Sequence, residues 1–141
     1  MLRYDQRYIA VAQRAYAEGV DTESGEASFF FDGDLFPGYG WVFPMAGGTA
    51  NIGVGILSEA RAREGTSVPK LFHSFVHRLR ERHPGFQRLR VVGKPVGGIV
   101  KPYGGSGPNY FDGGVLVGDA GSFVDPMTGE GITPAVESAV I

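Results

Sequence analysis

A single carboxylate followed by a run of glycines carries the most chemistry in this sequence. Gly114-Val-Leu-Val-Gly118-Asp119 is an apolar stretch ending in a carboxylate. Pro126-Met-Thr128-Gly129-Glu130-Gly131-Ile132 follows as a Gly-punctuated loop. The pattern predicts a buried strand over 112–118, a loop, and a helix N-terminus at Thr128–Gly131. In α/β sheets the C-terminal edge of a strand is where ligands bind. Free N–H groups at a helix start, with the positive end of the helix dipole, suit an anionic or electron-rich ligand. Gly129 and Gly131 would let a flat ring approach the backbone closely. An ordinary strand–turn–helix with Asp119 as N-cap accounts for the spacing equally well.

A second group is aromatic. Tyr39, Trp41 and Phe43 alternate at period two, so their side chains project from one sheet face. Together they make a wide apolar wall with polar handles on Tyr and Trp. The competing reading is a sheet core facing a helix, and for Phe43 that core reading is the expectation. Asn51-Ile-Gly53-Val-Gly55 is the returning strand, whose glycines admit a ligand or a neighbouring strand.

Other groupings offer less. His73 and His77 are four apart on a helix, but no third ligand follows, so they read as a solvated face and no metal site is assigned. Ser106 and Ser122 lack a nucleophile-elbow context. Asp112, Asp125 and Glu130 do not read as a glycosidase pair. With no Cys among 141 residues, thiolate and iron–sulfur chemistry are excluded. Electrons or hydride must come from a bound cofactor.

The positioning elements follow from periodicity. Strands are expected over 7–16, 27–32, 40–43 (stopped by Pro44) and 50–57, joined by short turns into an antiparallel sheet. At Val68–Arg82 the period changes. Leu71, Phe72, Phe75, Val76 and Leu79 share a helical face, with Pro69 in the first turn and Pro84-Gly85 ending it. Residues 90–102 read as strand interrupted by Gly and Pro, 103–109 as a loop, and 134–141 as the start of a helix.

Glycine numbers 23, about twice the usual fraction, without a collagen period. Hydrophobic residues at 43% and charged residues at 20% describe a folded chain. No apolar run is long enough to span a bilayer, and Met1–Arg7 has no signal-peptide core, so a cytoplasmic location is expected. A net charge of −2 argues against nucleic acid as a partner. Ten of the thirteen basic residues lie within 61–101, and five acids with no base lie within 102–141. The basic patch at 78–101 offers peripheral contact with anionic lipid or a redox partner, beside the blander reading of a solvated face.

The stretch Gly118-Asp119 to Gly131-Ile132 resembles the second flavin motif of FAD-dependent oxidoreductases of the aromatic-hydroxylase type. The resemblance makes Asp119, after Gly118, the ligand of the ribityl chain. It makes Pro126, Thr128, Gly129, Gly131 and Ile132 the loop beside the flavin ring, with Glu130 at a variable position. Pro37-Gly38-Tyr39-Gly40-Trp41-Val42-Phe43-Pro44, with Gly53-Val54-Gly55 eight residues on, is similar to the Tyr-x-Trp-x-Phe-Pro-x(7–8)-Gly-x-Gly pattern of the geranylgeranyl reductase family. Arg14-Ala-Tyr16 adds a weaker match. In that family the motif lines a cavity for an isoprenoid tail, which implies substrate contacts for Tyr39, Trp41, Phe43, Gly53 and Gly55.

The family implies a substrate-binding sheet with a packed helix over 1–108 and the C-terminal strand–loop–helix of a Rossmann-type FAD-binding domain over 109–141. It implies FAD as cofactor, NAD(P)H or a ferredoxin-type protein as electron donor, and an isoprenoid lipid or prenylated quinone as substrate. The implied reaction delivers hydride from reduced FAD to a carbon–carbon double bond and a proton to the adjacent carbon, Tyr39 being the candidate donor. No Gly-x-Gly-x-x-Gly strand–turn–helix occurs, so the chain is expected to be a fragment lacking the first nucleotide-binding half. The rival expectations are a flavin monooxygenase or halogenase of the same superfamily, and a binding module that never holds FAD.

Overall fold

The computed structural model describes residues 8–21, 25–101 and 107–140. The chain divides into two compact units, residues 11–98 and residues 1–10 with 99–141.

The larger unit is built on a five-stranded antiparallel sheet in the order β2-β3-β4-β1-β5. The strands are β1 (Ala10–Glu18), β2 (Ser28–Phe30), β3 (Gly38–Met45), β4 (Thr49–Leu57) and β5 (Arg90–Val100). β3 and β4 form a hairpin in which Tyr39 faces Gly55, Trp41 faces Gly53 and Phe43 faces Asn51. Every second residue points inward. Val42 of β3, Ala50, Ile52, Val54 and Ile56 of β4, and Ala15 and Ala17 of β1 are buried.

The helix α2 (Val68–Arg82) covers that inner face, with the boundaries its periodicity predicts. Ser67 caps it by accepting from the N–H of Lys70, and Pro69 occupies the first turn. Its apolar stripe, Leu71, Phe72, Phe75, Val76 and Leu79, is buried. Phe75 is fully buried, and its ring occupies the space a side chain at Gly40 would need. Arg78 leaves the helix sideways. Its Nε lies 3.1 Å from Asp32 Oδ2 and its Nη1 2.6 Å from Asp34 Oδ2, which ties the β2–β3 connection to the helix.

Several expectations need correction. Pro44 does not stop β3, which runs on to Met45 with Pro44 opposite Ala50. β2 pairs with β3 only as far as Val42, so beyond it β3 has a partner on one side only, where a missing donor is tolerated. A short helix α1 (Ser58–Glu64) follows β4 where none was expected, ended by Gly65 in the left-handed region at φ 62°. β5 is continuous through its glycines and Pro95. As the sheet's edge strand it tolerates residues that a central strand would not.

In the smaller unit the strand expected over 112–118 shrinks to β7 (Gly114–Val115), paired with β6 (Tyr110–Phe111). It is not buried: Val115 is 50% exposed. Among the described residues no further strand pairs with β7, so its apolar run has no sheet to enter. A turn of 3₁₀ helix at Gly118–Gly121 and the helix α3 (Ile132–Ala139) complete the unit. The expected 103–109 loop falls largely on residues 102–106, outside the described residues.

Candidate functional site

The outer face of the larger unit's sheet is an aromatic wall. Tyr39, Trp41 and Phe43 stand in a row, with neighbouring ring centroids 6.0 Å apart, Trp41 and Phe43 stacked at 26°. Phe29 of β2 is opposite Trp41 in register and meets Tyr39 at 5.6 Å and Phe43 at 5.4 Å, both edge-on. Phe31 lies 5.9 Å from Tyr39. Phe29 and Phe31 remain 48% and 77% exposed. Phe43 therefore belongs to the wall and not to the core beneath the helix. It shares the parity of Tyr39 and Trp41, while the inward positions go to Gly40 and Val42.

Phe29 and Phe31 were missed by sequence reasoning. The signal was the run Phe29-Phe30-Phe31, in which alternation sends the outer two to one face and Phe30 to the other. Phe30 does turn inward, 5.5 Å from Phe75.

Two features of β4 set the indole. The Trp41 Nε1–H donates to Asn51 Oδ1 at 3.0 Å. The ring lies flat across Gly53, where a Cβ would sit 2.1 Å from Cζ2. Gly53 is thus glycine because the indole occupies its side-chain space. Gly55 is looser, with Ala12 Cβ and Trp41 Cζ3 both 3.8 Å from its Cβ position. On β1, the Arg14 guanidinium lies 4.8 Å from the Tyr16 ring centre. An exposed contiguous apolar surface of this kind marks an interaction or ligand site.

The smaller unit gathers the Gly-Asp and Gly-rich loop residues. Gly118 is buried in a left-handed conformation, and its N–H donates to Ser138 Oγ at 2.9 Å. Asp119 follows it, exposed in the 3₁₀ turn rather than at a strand end. Its Oδ1 lies only 2.7 Å from where a Cβ at Gly131 would be. The fold therefore brings Asp119 against the start of α3, and any side chain at Gly131 would displace the carboxylate.

Asp125 organises the intervening loop, a role sequence reasoning missed. Its Oδ1 accepts from the Met127 N–H (2.9 Å), the Thr128 N–H (2.7 Å) and the Thr128 hydroxyl (2.9 Å). Its backbone N–H donates to Glu130 O, and its backbone O accepts from Gly129 N–H. The Asp-Pro-x-Thr spacing of an Asx-type turn was the available signal. The Thr128 N–H and hydroxyl hold the Asp125 carboxyl below the ordinary carboxylate range against the opposing effect of burial, with a lesser contribution from the Met127 N–H.

The Thr128 hydroxyl in turn accepts from the Glu130 N–H at 3.2 Å. The Glu130 carboxylate accepts from the Thr133 N–H at 2.8 Å and so caps α3. Among the described residues no hydrogen bond engages the N–H groups of Gly131 or Ile132. Pro126, Thr128, Gly129 and Ile132 are exposed beside them.

A family model described as the geranylgeranyl reductase catalytic domain matches residues 8–99, a stretch that includes the aromatic wall. The chain belongs to the geranylgeranyl reductase family.

Relatives agree. Menaquinone reductase of Mycobacterium tuberculosis is 40% identical over 111 residues, covering 76% of this chain and 26% of that protein. Digeranylgeranylglycerophospholipid reductase of Methanothrix thermoacetophila is 39% identical over 130 residues, covering 89% and 30%. The chain therefore spans between a quarter and a third of the length of the curated relatives it matches. A geranylgeranyl bacteriochlorophyll reductase-like crystal structure from Thermoplasma acidophilum superposes with a TM-score of 0.77 at 28% identity, over 96% of this chain and 32% of that one. A flavin-dependent halogenase superposes at 0.73 over 99% of this chain and 26% of its own, but at 21% identity it shows the fold alone.

Proposed function

We propose that this chain forms the substrate wall and the flavin-ring loop of an FAD-dependent reductase of isoprenoid double bonds. The observation that carries the reading is the aromatic wall, in which Phe29, Tyr39, Trp41 and Phe43 join on a floor opened by Gly53. A polyprenyl chain is long, apolar and free of hydrogen-bonding groups, and edge and face contacts with such rings suit it without directional hydrogen bonds. The names of the matched relatives support a prenyl lipid or a prenylated quinone as substrate.

The loop residues fit a flavin. Asp119 would accept from ribityl hydroxyls beside Gly131, where no side chain intrudes. The N–H groups of Gly131 and Ile132 would donate to the ring's pyrimidine edge, and the positive end of α3 would favour negative charge there. Pro126, Thr128 and Gly129 would line the ring, held in their turn by Asp125. Glu130 supports this by capping the helix, not by touching the ring. When bound and reduced, FAD supplies the hydride, with NAD(P)H or a ferredoxin-type protein as its source of electrons. Residues 1–108 serve the substrate and 109–141 the flavin.

The test places this chain in a full-length protein that carries the first nucleotide-binding half and incubates it anaerobically with FAD, a reductant and either menaquinone or a digeranylgeranyl glycerophospholipid. The expected product gains one H₂ in mass per reduced double bond. Asp119→Ala should weaken FAD retention by about 1–3 kcal/mol. Undiminished FAD affinity in that variant would refute the ribityl assignment, and products of unchanged mass would refute the reductase reading.

A further inference from the structure

The outer face of the larger unit's sheet continues past the aromatic wall onto β1. Ala12 Cβ lies 3.8 Å from where a Cβ at Gly55 would be, so the two residues are cross-strand neighbours on that face. Period two then sends Arg14 and Tyr16 outward as well, with Ala15 and Ala17 buried on the other side. β1 and β4 are neighbours in an antiparallel sheet, so two residues on from Ala12, Arg14 comes level with Gly53. Gly53 is the residue that the Trp41 indole crosses from its other side. Arg14 therefore stands at the rim of the wall.

Arg14 is half-buried, and its guanidinium lies 4.8 Å from the centre of the Tyr16 ring. Arg63, Arg78 and Arg90 each engage a carboxylate, whereas among the described residues no acid pairs with Arg14. Glu18, which the same parity puts on this face, is four residues along β1, roughly 13 Å away. Its carboxylate lies 3.4 Å from Arg90. Beyond the opposite end of the wall, Asp32 and Asp34 follow Phe31 in the chain and share one cation, Arg78. The β1 end thus carries surplus positive charge and the β2 end surplus negative charge. Between them the face spans three strand spacings, roughly 14 Å.

We propose that Arg14 recognises the head of the substrate, receiving the phosphate of a prenyl phosphate ester whose tail lies across Trp41, Tyr39, Phe43 and Phe29. This rests on the prenyl reading of the wall given above. None of the rings carries a charge, so an amphiphile laid over them places its head at one end. The β2 end repels an anion. At the β1 end the planar guanidinium matches two phosphate oxygens bidentately. The Tyr16 ring steadies the cation through its π face, and among the described residues no acceptor takes its N–H groups. A neutral quinone carbonyl gains less there than a phosphate, whose bond to the guanidinium is charged on both sides. Arg14 therefore selects prenyl phosphate esters over prenylated quinones.

The test uses two probes with the same tail, geranylgeraniol and geranylgeranyl phosphate, titrated into a full-length protein that carries the first nucleotide-binding half. In wild type the phosphate should bind about tenfold more tightly than the alcohol, and the preference should shrink as salt rises. Arg14→Gln, shown to be folded by circular dichroism, should bring the two affinities within about twofold and leave that for the alcohol unchanged. Arg14→Lys keeps the charge and loses the fork, so it should retain part of the preference. With a digeranylgeranyl glycerophospholipid as substrate, Arg14→Gln should raise KM about tenfold and hold kcat within about twofold. Equal affinities in wild type, or an undiminished preference in Arg14→Gln, would overturn the proposal. So would loss of affinity for both probes alike, or of FAD retention, since Arg14 would then serve the fold or the flavin. Reduction of menaquinone with no preference between the probes would overturn it and leave the reductase reading standing. Binding of neither probe to wild type would remove the prenyl wall itself, and the proposal with it.

Discussion

Gly53 and Gly55 are two residues apart on one strand, yet the structure demands opposite responses to the same methyl group. At Gly53 an added Cβ would lie 2.1 Å from Trp41 Cζ2 and 2.6 Å from Cε2 and Cη2. Carbon atoms prefer about 3.5–4.0 Å, so the indole must retreat by at least roughly 1.4 Å. That movement carries Nε1 away from Asn51 Oδ1, now at 3.0 Å, and beyond hydrogen-bond range. Overpacking costs about 1–3 kcal/mol and the lost hydrogen bond about 1. The stiffer unfolded chain returns about 0.4–1. Gly53→Ala should therefore destabilise by about 1.5–3 kcal/mol. Gly55→Ala meets only ordinary contacts at 3.8 Å and should be neutral or stabilising by up to about 1 kcal/mol. Trp41 is the chain's one tryptophan, so its emission reports this ring alone. Denaturant titration should separate the two variants, and the emission of Gly53→Ala should shift to the red. Equal stabilities with unshifted emission would refute the packing argument, and with it the role of Gly53 in setting the wall.

Other outcomes follow from the same coordinates. Arg78→Met removes both ion pairs to the β2–β3 connection. With the two carboxylates partly exposed, about 1–2 kcal/mol should be lost in urea unfolding. Phe75→Ala empties a fully buried ring site under Gly40 and should cost about 3–5 kcal/mol by the same measurement. Asp125→Ala should speed amide hydrogen exchange at Met127 and Thr128, with Asp125→Asn intermediate because it keeps an acceptor; unchanged exchange would remove Asp125 as the loop's organiser. The Asp125 carboxyl is lowered in the folded chain, so its contribution is complete above about pH 4 and lost as pH falls through the lowered value. The protection of those two amides in wild type, taken relative to intrinsic exchange at each pH, should fall on acidification through the lowered value and stay constant above about pH 4.

What the sequence made legible depended on whether an element's partners were local. The α2 stripe was readable because burial of one helix face writes a 3.6-residue period into the chain, and Pro69 and Pro84 mark its ends. The β3–β4 hairpin was equally local, since Gly47 and Gly48 supply its turn at positive φ. The strand expected at 112–118 failed for the converse reason. An apolar run becomes a buried strand only beside neighbours, and the described residues offer it β6 alone. Asp125 escaped notice because its work lies in accepting main-chain N–H groups, which residue type suggests and only geometry reveals.

The wall shows most clearly how one physical rule outranks another. Bulk and aromaticity argued for Phe43 in the core, and the motif argued for Tyr39 and Trp41 at a ligand surface. Parity forbids that division. On a regular strand, residues 39, 41 and 43 share a face whatever their types, so moving Phe43 inward requires a bulge. β3 shows none, its register with β4 being unbroken from Gly38 to Met45. The same rule extended to β2 would have added Phe29 and Phe31, had the register Phe29 opposite Trp41 been available. That register is non-local, which is why the wall was read as three rings and is built from five. The inner face then had to be filled by small or branched residues, and Gly40 beneath Phe75 is the consequence: the ring that α2 contributes replaces the one that β3 turns outward.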